Sequence, residues 1–205
     1  MRQTIQRRQA NGEIDGMKQL QDFILTIPNA VSADLRTKIL QEYADSDEWK
    51  EALIENGVKD TTQRNVSEIP ISQQTVIQKH NEVRAVIDKE LFTCAGLVLS
   101  KYQAAFLEFT SVHIDDDEGY TLLRYEDKQF YNEHTDATKK LPRSVSCSFA
   151  INDDYEGGDW SFFGGAYVTR LNAGDAILFP SNFLYPHSIR PILSGTRYSV
   201  ITWFR

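Results

Sequence analysis

The sequence predicts an α+β fold: a double-stranded β-helix (jelly roll) core with supporting N-terminal helices. Three observations carry the prediction. In the first half, apolar residues recur at helical spacing. In the second half, about seven or eight short runs alternate or are wholly apolar, as half-buried and buried strands do. Glycine and proline pairs punctuate those runs. Strands that follow helices, rather than alternate with them, fit two packed antiparallel sheets with helices outside.

Composition sets the bounds. A chain of 205 residues can bury one real core, and 41% hydrophobic with 25% charged residues is the balance of a soluble globular protein. The net charge of -7 weighs against nucleic acid, whose phosphates call for clustered Lys and Arg. No run reaches the ~18 apolar residues of a membrane helix. The opening MRQTIQRRQANGEIDG lacks the apolar stretch of a secretory signal. Cys94 and Cys147 form neither a disulfide framework nor a Cys-x-x-Cys pair, so each is expected to be a small apolar residue. A cytoplasmic setting with no membrane partner follows as an expectation.

One domain, 1–205, is expected. Residues 1–18 form a polar, mobile lead-in, 19–110 a mainly helical support and 111–205 the jelly-roll core. Phe23 to Ile27 is a β-like run ended by Pro28-Asn29, and Ser32 can cap a helix running to Tyr43. Trp49 to Asn56 is expected to continue helically, and a strand is expected around Asn65 to Ile71. Val76, Ile77, Val83, Val86 and Ile87 recur at helical spacing from Gln74 to about Glu90, with further helix toward Phe106. Tyr120 to Tyr125, Ser144 to Asn152, Ala176 to Phe179 and Arg197 to Phe204 read as strands. In the second of these Val145, Cys147 and Phe149 share one face.

Within the core the stretch His134-Thr135-Asp136 stands out, with His187 and then Arg197 downstream. If the segment is extended, His134 and Asp136 face the same side. Two histidines and one carboxylate make the facial triad of non-haem Fe(II) sites. An arginine offers a dicarboxylate a bidentate grip. His-x-Asp alone is weak, since an Asp in a surface loop often serves as a cap. His80 and His113 have no partner at ligand spacing. Arg190, a rival carboxylate partner, precedes Pro191 and belongs on the rim. Asp115 to Glu118 lacks the length of a calcium loop and reads as a solvated turn. Gly157-Gly158 is no dinucleotide fingerprint, and Trp160, Phe162 and Phe163 read as core.

The order of blocks from about Tyr120 to Arg205 resembles the prolyl 4-hydroxylase-like Fe(II)/2-oxoglutarate-dependent dioxygenases. The blocks are Leu122-Leu123-Arg124-Tyr125, Phe130 to Asp136, Arg143-Ser144-Val145-Ser146, Ile151 to Phe162, Gly174 to Pro180, His187, and Gly195-Thr196-Arg197-Tyr198-Ser199. The resemblance implies that His134, Asp136 and His187 ligate iron. It implies that Arg197, with Tyr125 and Ser199, binds 2-oxoglutarate, and that Arg143, Tyr131 and Trp203 face the substrate. It further implies O2 as co-substrate, ascorbate binding, and a proline-containing peptide or protein as substrate. One departure is Ala150, where several relatives place a tyrosine that helps hold 2-oxoglutarate. The alternatives are a hydroxylase of a free amino acid or other small molecule, and a noncatalytic jelly-roll module. The loops near 58–73 and 137–142 would decide between polypeptide and metabolite.

Overall fold

The seven-stranded antiparallel sheet owes its position to β7, Val145–Ala150, all six residues of which are buried. Alternation sends Val145, Cys147 and Phe149 to one side, where they join the helices in one apolar cluster. It sends Ser146, Ser148 and Ala150 to the other side, into the space between two sheets. A computed structural model describes residues 18–54, 57–72, 82–107, 114 and 116–205. The lead-in to residue 17, residues 73–81, which include Val76, Ile77 and His80, and His113 lie outside the described residues.

Fourteen strands are described: β1 Leu25–Ile27, β2 Lys50–Glu51, β3 Arg64–Asn65, β4 Ser67–Pro70, β5 Thr121–Tyr125, β6 Phe130–His134, β7, β8 Glu156–Gly157, β9 Trp160–Phe162, β10 Tyr167–Thr169, β11 Ala176–Pro180, β12 His187–Ile189, β13 Ile192–Ser194 and β14 Arg197–Phe204. The large sheet runs β1-β11-β7-β14-β5-β4-β2. The facing sheet runs β10-β9-β12-β6-β3, and β13-β8 form a small ribbon. All pairings are antiparallel. This is the predicted α+β jelly roll. The core half holds β5 to β14, more strands than the seven or eight expected, because pairs as short as β8 carry no alternation to read.

Two helices cover the outer face of the large sheet. Helix α1, Ala33–Tyr43, begins where Ser32 accepts a hydrogen bond from the Leu35 amide at 3.2 Å. It buries Leu35, Ile39 and Tyr43, four residues apart. Helix α2, Glu82–Ala105, buries Ile87, Leu91, Ala95, Val98, Leu99 and Tyr102. The expected further helix to Phe106 is thus one continuous element. The first half also supplies strands: β1 and β2 edge the large sheet and β3 edges the facing one.

The expected helix from Trp49 to Asn56 is not formed over its described part. Lys50–Glu51 pairs with β4, and Ile54 bridges to Val58. The Trp49 indole instead donates to the Tyr43 carbonyl at 2.9 Å and lies under Arg124. Pairing with a sheet edge outweighs a weak helical preference there. No described helix is long and apolar enough to cross a membrane. Cys94 and Cys147 are free, and burial pushes the Cys147 thiol up.

Candidate metal centre

The site is built where three neighbouring strands meet. β12 pairs with β6 so that His187 stands opposite His134, and with β9 so that His187 stands opposite Phe162. β6 ends at His134, so Asp136 lies on the bend beyond it rather than in the strand. The convergence expected from an extended segment is reached even so. One ligand atom from each of His134, Asp136 and His187 lies within 4.8 Å of the others. Each Nε2 is 3.5 Å from an Asp136 carboxylate oxygen. Among the described residues this is the only such His/Cys/Asp/Glu group.

Backbone carbonyls orient both rings. His134 Nδ1 lies 2.8 Å from the Asn132 carbonyl, and His187 Nδ1 lies 3.0 Å from that of Tyr185. Donation from Nδ1 leaves each Nε2 lone pair directed at the shared point. Tyr131 stacks on His134 with ring centres 3.5 Å apart. Phe179 meets His187 edge-on at 4.7 Å. Burial lowers the His187 pKa to about 4, against the pull of Asp136, which keeps the imidazole neutral. Burial alone would raise the Asp136 carboxyl, but His187, His134 and the Ser146 hydroxyl hold it well below the usual range. Neutral imidazoles and an ionised carboxylate are the states a divalent metal needs.

Sequence reasoning missed the support of that carboxylate. Ser146 donates to Asp136 Oδ2 at 2.6 Å and lies 2.8 Å from the Ser181 hydroxyl. The Ala137 amide donates to the Ser181 carbonyl, tying the ligand bend to the end of β11. Ser146 lies between Val145 and Cys147, so the same alternation that marked the core face marked it as facing inward.

A cavity of about 680 Å³ opens from the metal centre between the sheets. Its walls include Tyr125, Tyr131, Arg143, Ser148, Trp160 and Trp203. Arg197 lies against the walls, its guanidinium carbon 5.1 Å from the Tyr125 ring centre and 5.8 Å from that of Trp160. It is 3% exposed and donates to the Ser199 hydroxyl at 3.1 Å. Among the described residues no carboxylate pairs with it. A buried, uncompensated guanidinium is costly, which fits a site awaiting an anionic ligand. Ser148 Oγ and Trp160 Nε1 are likewise buried without a hydrogen-bond partner. Three metal ligands and this cation-backed pocket fit Fe(II) with a dicarboxylate such as 2-oxoglutarate.

Arg143, Tyr131 and Trp203 all border the cavity, though Arg143 is not free there. Its guanidinium lies 3.5 Å from the Trp203 ring centre and donates to Glu118 at 2.6 and 3.0 Å. Glu118 also pairs with Arg205 at 3.0 Å. The expectation of a solvated acidic turn therefore fails at Glu118, whose side chain is 11% exposed. Burial works against its charge, yet the two arginines hold its carboxyl below the ordinary value. Arg64, also missed, lines the cavity over Tyr131 and pairs with Glu68 at 3.1 Å. Arg190 is exposed, as its place before Pro191 implied.

Comparison with known proteins agrees with this geometry. Residues 120–205 match the model of the 2OG-Fe(II) oxygenase superfamily. A PKHD-type hydroxylase of Colwellia psychrerythraea is 35% identical over 82 residues, 36% of each chain. One from Crocosphaera subtropica is 30% identical over 123 residues, 56% of this chain and 54% of the relative. The chain thus spans about a third to a half of these relatives' lengths. Among solved structures, a Trichoplax adhaerens prolyl hydroxylase, bound to a fragment of the hypoxia inducible factor oxygen degradation domain, superposes with a TM-score of 0.71 at 17% identity, covering 88% of this chain and 82% of that one. A Pseudomonas putida prolyl-4-hydroxylase gives 0.66 at 21% identity, covering 89% and 92%. Residues 120–205 thus resemble the 2OG-Fe(II) oxygenase superfamily, and the chain shares its fold with solved prolyl hydroxylases.

Proposed function

We propose that this protein is an Fe(II)- and 2-oxoglutarate-dependent dioxygenase that hydroxylates a C–H bond, with a prolyl residue of a peptide or protein as substrate. The observation that carries the reading is the convergence of His134, Asp136 and His187 beside a buried Arg197 with no carboxylate of its own among the described residues. When bound, Fe(II) with 2-oxoglutarate and O2 supplies the oxidising chemistry, with 2-oxoglutarate leaving as succinate and CO2.

The protein's own residues do the positioning. His134, Asp136 and His187 would hold the metal, two histidines and one carboxylate being the ligand set of non-haem Fe(II). Arg197, steadied by Ser199 and flanked by Tyr125, grips the carboxylate of 2-oxoglutarate remote from the metal. Tyr131 and Trp203, with the Glu118-clamped Arg143, line the approach for the substrate. The likeness to a prolyl hydroxylase solved with a peptide supports a polypeptide substrate. The PKHD-type relatives support hydroxylation without naming proline. Ascorbate enters the proposal as an accessory reductant.

Anaerobic titration of the Fe(II)-loaded protein with 2-oxoglutarate should produce a visible charge-transfer band. Oxygen with proline-containing peptides should then yield succinate and hydroxylated peptide in equal amounts. A band with no peptide-stimulated succinate would shift the substrate to a small molecule. No band at all would reject the dioxygenase reading.

A further inference from the structure

Three residues of the cavity wall, Arg64, Ser148 and Trp160, carry a buried polar atom without a partner among the described residues. The Arg64 guanidinium is otherwise held by Glu68 and the Leu53 carbonyl, which leaves Ser148 and Trp160 unexplained by the metal ligands and Arg197. Ser148 is 2% exposed and Trp160 is 7% exposed. Among the described residues Ser148 Oγ and Trp160 Nε1 have no hydrogen-bond partner, and both residues line the cavity. Leaving such atoms unpaired is unfavourable, and an indole N–H can only donate. An occupant of the cavity that offers an acceptor would satisfy the indole.

Their placement says which end of an occupant they meet. Along β7, Ser146, Ser148 and Ala150 share the inward face. Ser146 holds the metal-ligating Asp136 at 2.6 Å. Ala150 stands opposite Ser199 on β14, and Ser199 accepts from Arg197. Ser148 is the step between, roughly 7 Å from either neighbour along the strand. Trp160 spans the same gap from the opposite sheet, its ring centre 5.7 Å from that of His187 and 5.8 Å from the Arg197 guanidinium. Ala150 itself brings no hydrogen-bonding side chain to this wall.

We propose that Trp160 Nε1 and Ser148 Oγ donate to 2-oxoglutarate, with Trp160 sharing the remote carboxylate with Arg197 and so supplying the donor that Ala150 lacks. This rests on the dioxygenase reading above. Trp160 is thus a specificity residue for the co-substrate as well as a core residue.

The test is equilibrium binding to anaerobic Fe(II)-loaded protein, read by calorimetry and the charge-transfer band. The ligands are 2-oxoglutarate and 2-oxobutyrate, which lacks the remote carboxylate. Trp160→Phe keeps a ring and removes the N–H; Ser148→Ala removes the hydroxyl with little change of volume. Each should weaken 2-oxoglutarate about tenfold or more, as loss of a hydrogen bond to a charged group does, with Fe(II) affinity unchanged. Trp160→Phe should leave 2-oxobutyrate affinity as in wild type. Unchanged 2-oxoglutarate affinity in both variants would overturn the inference, as would an equal loss for both ligands in Trp160→Phe. If wild type binds no 2-oxoglutarate, the dioxygenase reading falls first and this one with it.

Discussion

Ser146 donates its hydroxyl to Asp136 at 2.6 Å from β7, a strand that itself contributes no metal ligand. An interior strand of the large sheet thereby fixes a carboxylate that would otherwise swing on the bend after β6. Ser146→Ala should lower metal affinity about 10- to 100-fold, the usual cost of losing a partner that orients a ligand. The fold should survive, since the change removes one oxygen. Competition with a chelating dye checks this, and wild-type metal affinity in the variant would deny Ser146 the role.

Arg197 carries a different balance. Its charge is buried beside Ser199 and two aromatic rings, with no carboxylate pairing it among the described residues. Replacing an uncompensated buried charge with an apolar chain of similar length is neutral or stabilising. Arg197→Met should therefore leave the Tm of the ligand-free protein unchanged or raise it. The rise in Tm that 2-oxoglutarate gives the Fe(II)-loaded protein should vanish. Thermal melts with and without 2-oxoglutarate decide it; a ligand-induced rise that persists in the variant would remove Arg197 from the binding site.

Much of this site was legible in the sequence because its residues obey local rules. His134 and His187 begin or end strands, and strand alternation places Arg197 with Ser199. What escaped was set by contacts distant in the chain. Glu118 looked like one more acid in a solvated turn until the fold brought Arg143 and Arg205 to it. Lys50–Glu51 became a strand only because β4 offered an edge. Ser148 reads as an ordinary strand residue and Trp160 as core, and it is the packing of two sheets that leaves their polar atoms unpaired among the described residues.

The Glu118–Arg143 pair should separate substrate binding from co-substrate binding. Glu118→Ala frees Arg143 from the stack on Trp203 while leaving Arg197 untouched. KM for the peptide substrate should rise several-fold with 2-oxoglutarate affinity unchanged. Stability should fall by about 2 kcal/mol, between the worth of exposed and of buried pairs. Steady-state kinetics in both substrates, with urea unfolding, tests the two halves independently; a rise confined to the 2-oxoglutarate KM would contradict the assignment.

Burial of His187 gives the metal-free protein a defined pH response. Its pKa in the folded protein is lowered to about 4, whereas the unfolded imidazole titrates near 6.5. Between these values the unfolded chain binds the extra proton, so stability rises with pH across that window. It should be fully present above about pH 6.5 and be lost as pH falls toward 4, by on the order of 3 kcal/mol. His187→Gln should flatten the curve there. Denaturant midpoints in chelator-treated protein measure it; equal slopes in wild type and variant would remove His187 as the cause.

Gly158 ties the turn after β8 to the anion site. Its φ of 68° is one that residues with a side chain seldom adopt. A Cβ there would come within 2.6 Å of Ile192 Cδ1 and 3.0 Å of Arg197 Cδ. Gly158→Ala therefore combines roughly 1–2 kcal/mol of backbone strain with roughly 1–3 kcal/mol of overpacking. The Arg197 stem must yield, since the positive φ fixes where the methyl points. The variant should lose stability and bind 2-oxoglutarate more weakly, with metal affinity retained because no ligand touches the turn. Unfolding curves with calorimetric titration of both ligands check this, and a stability loss with full 2-oxoglutarate affinity would show that Arg197 does not feel the turn.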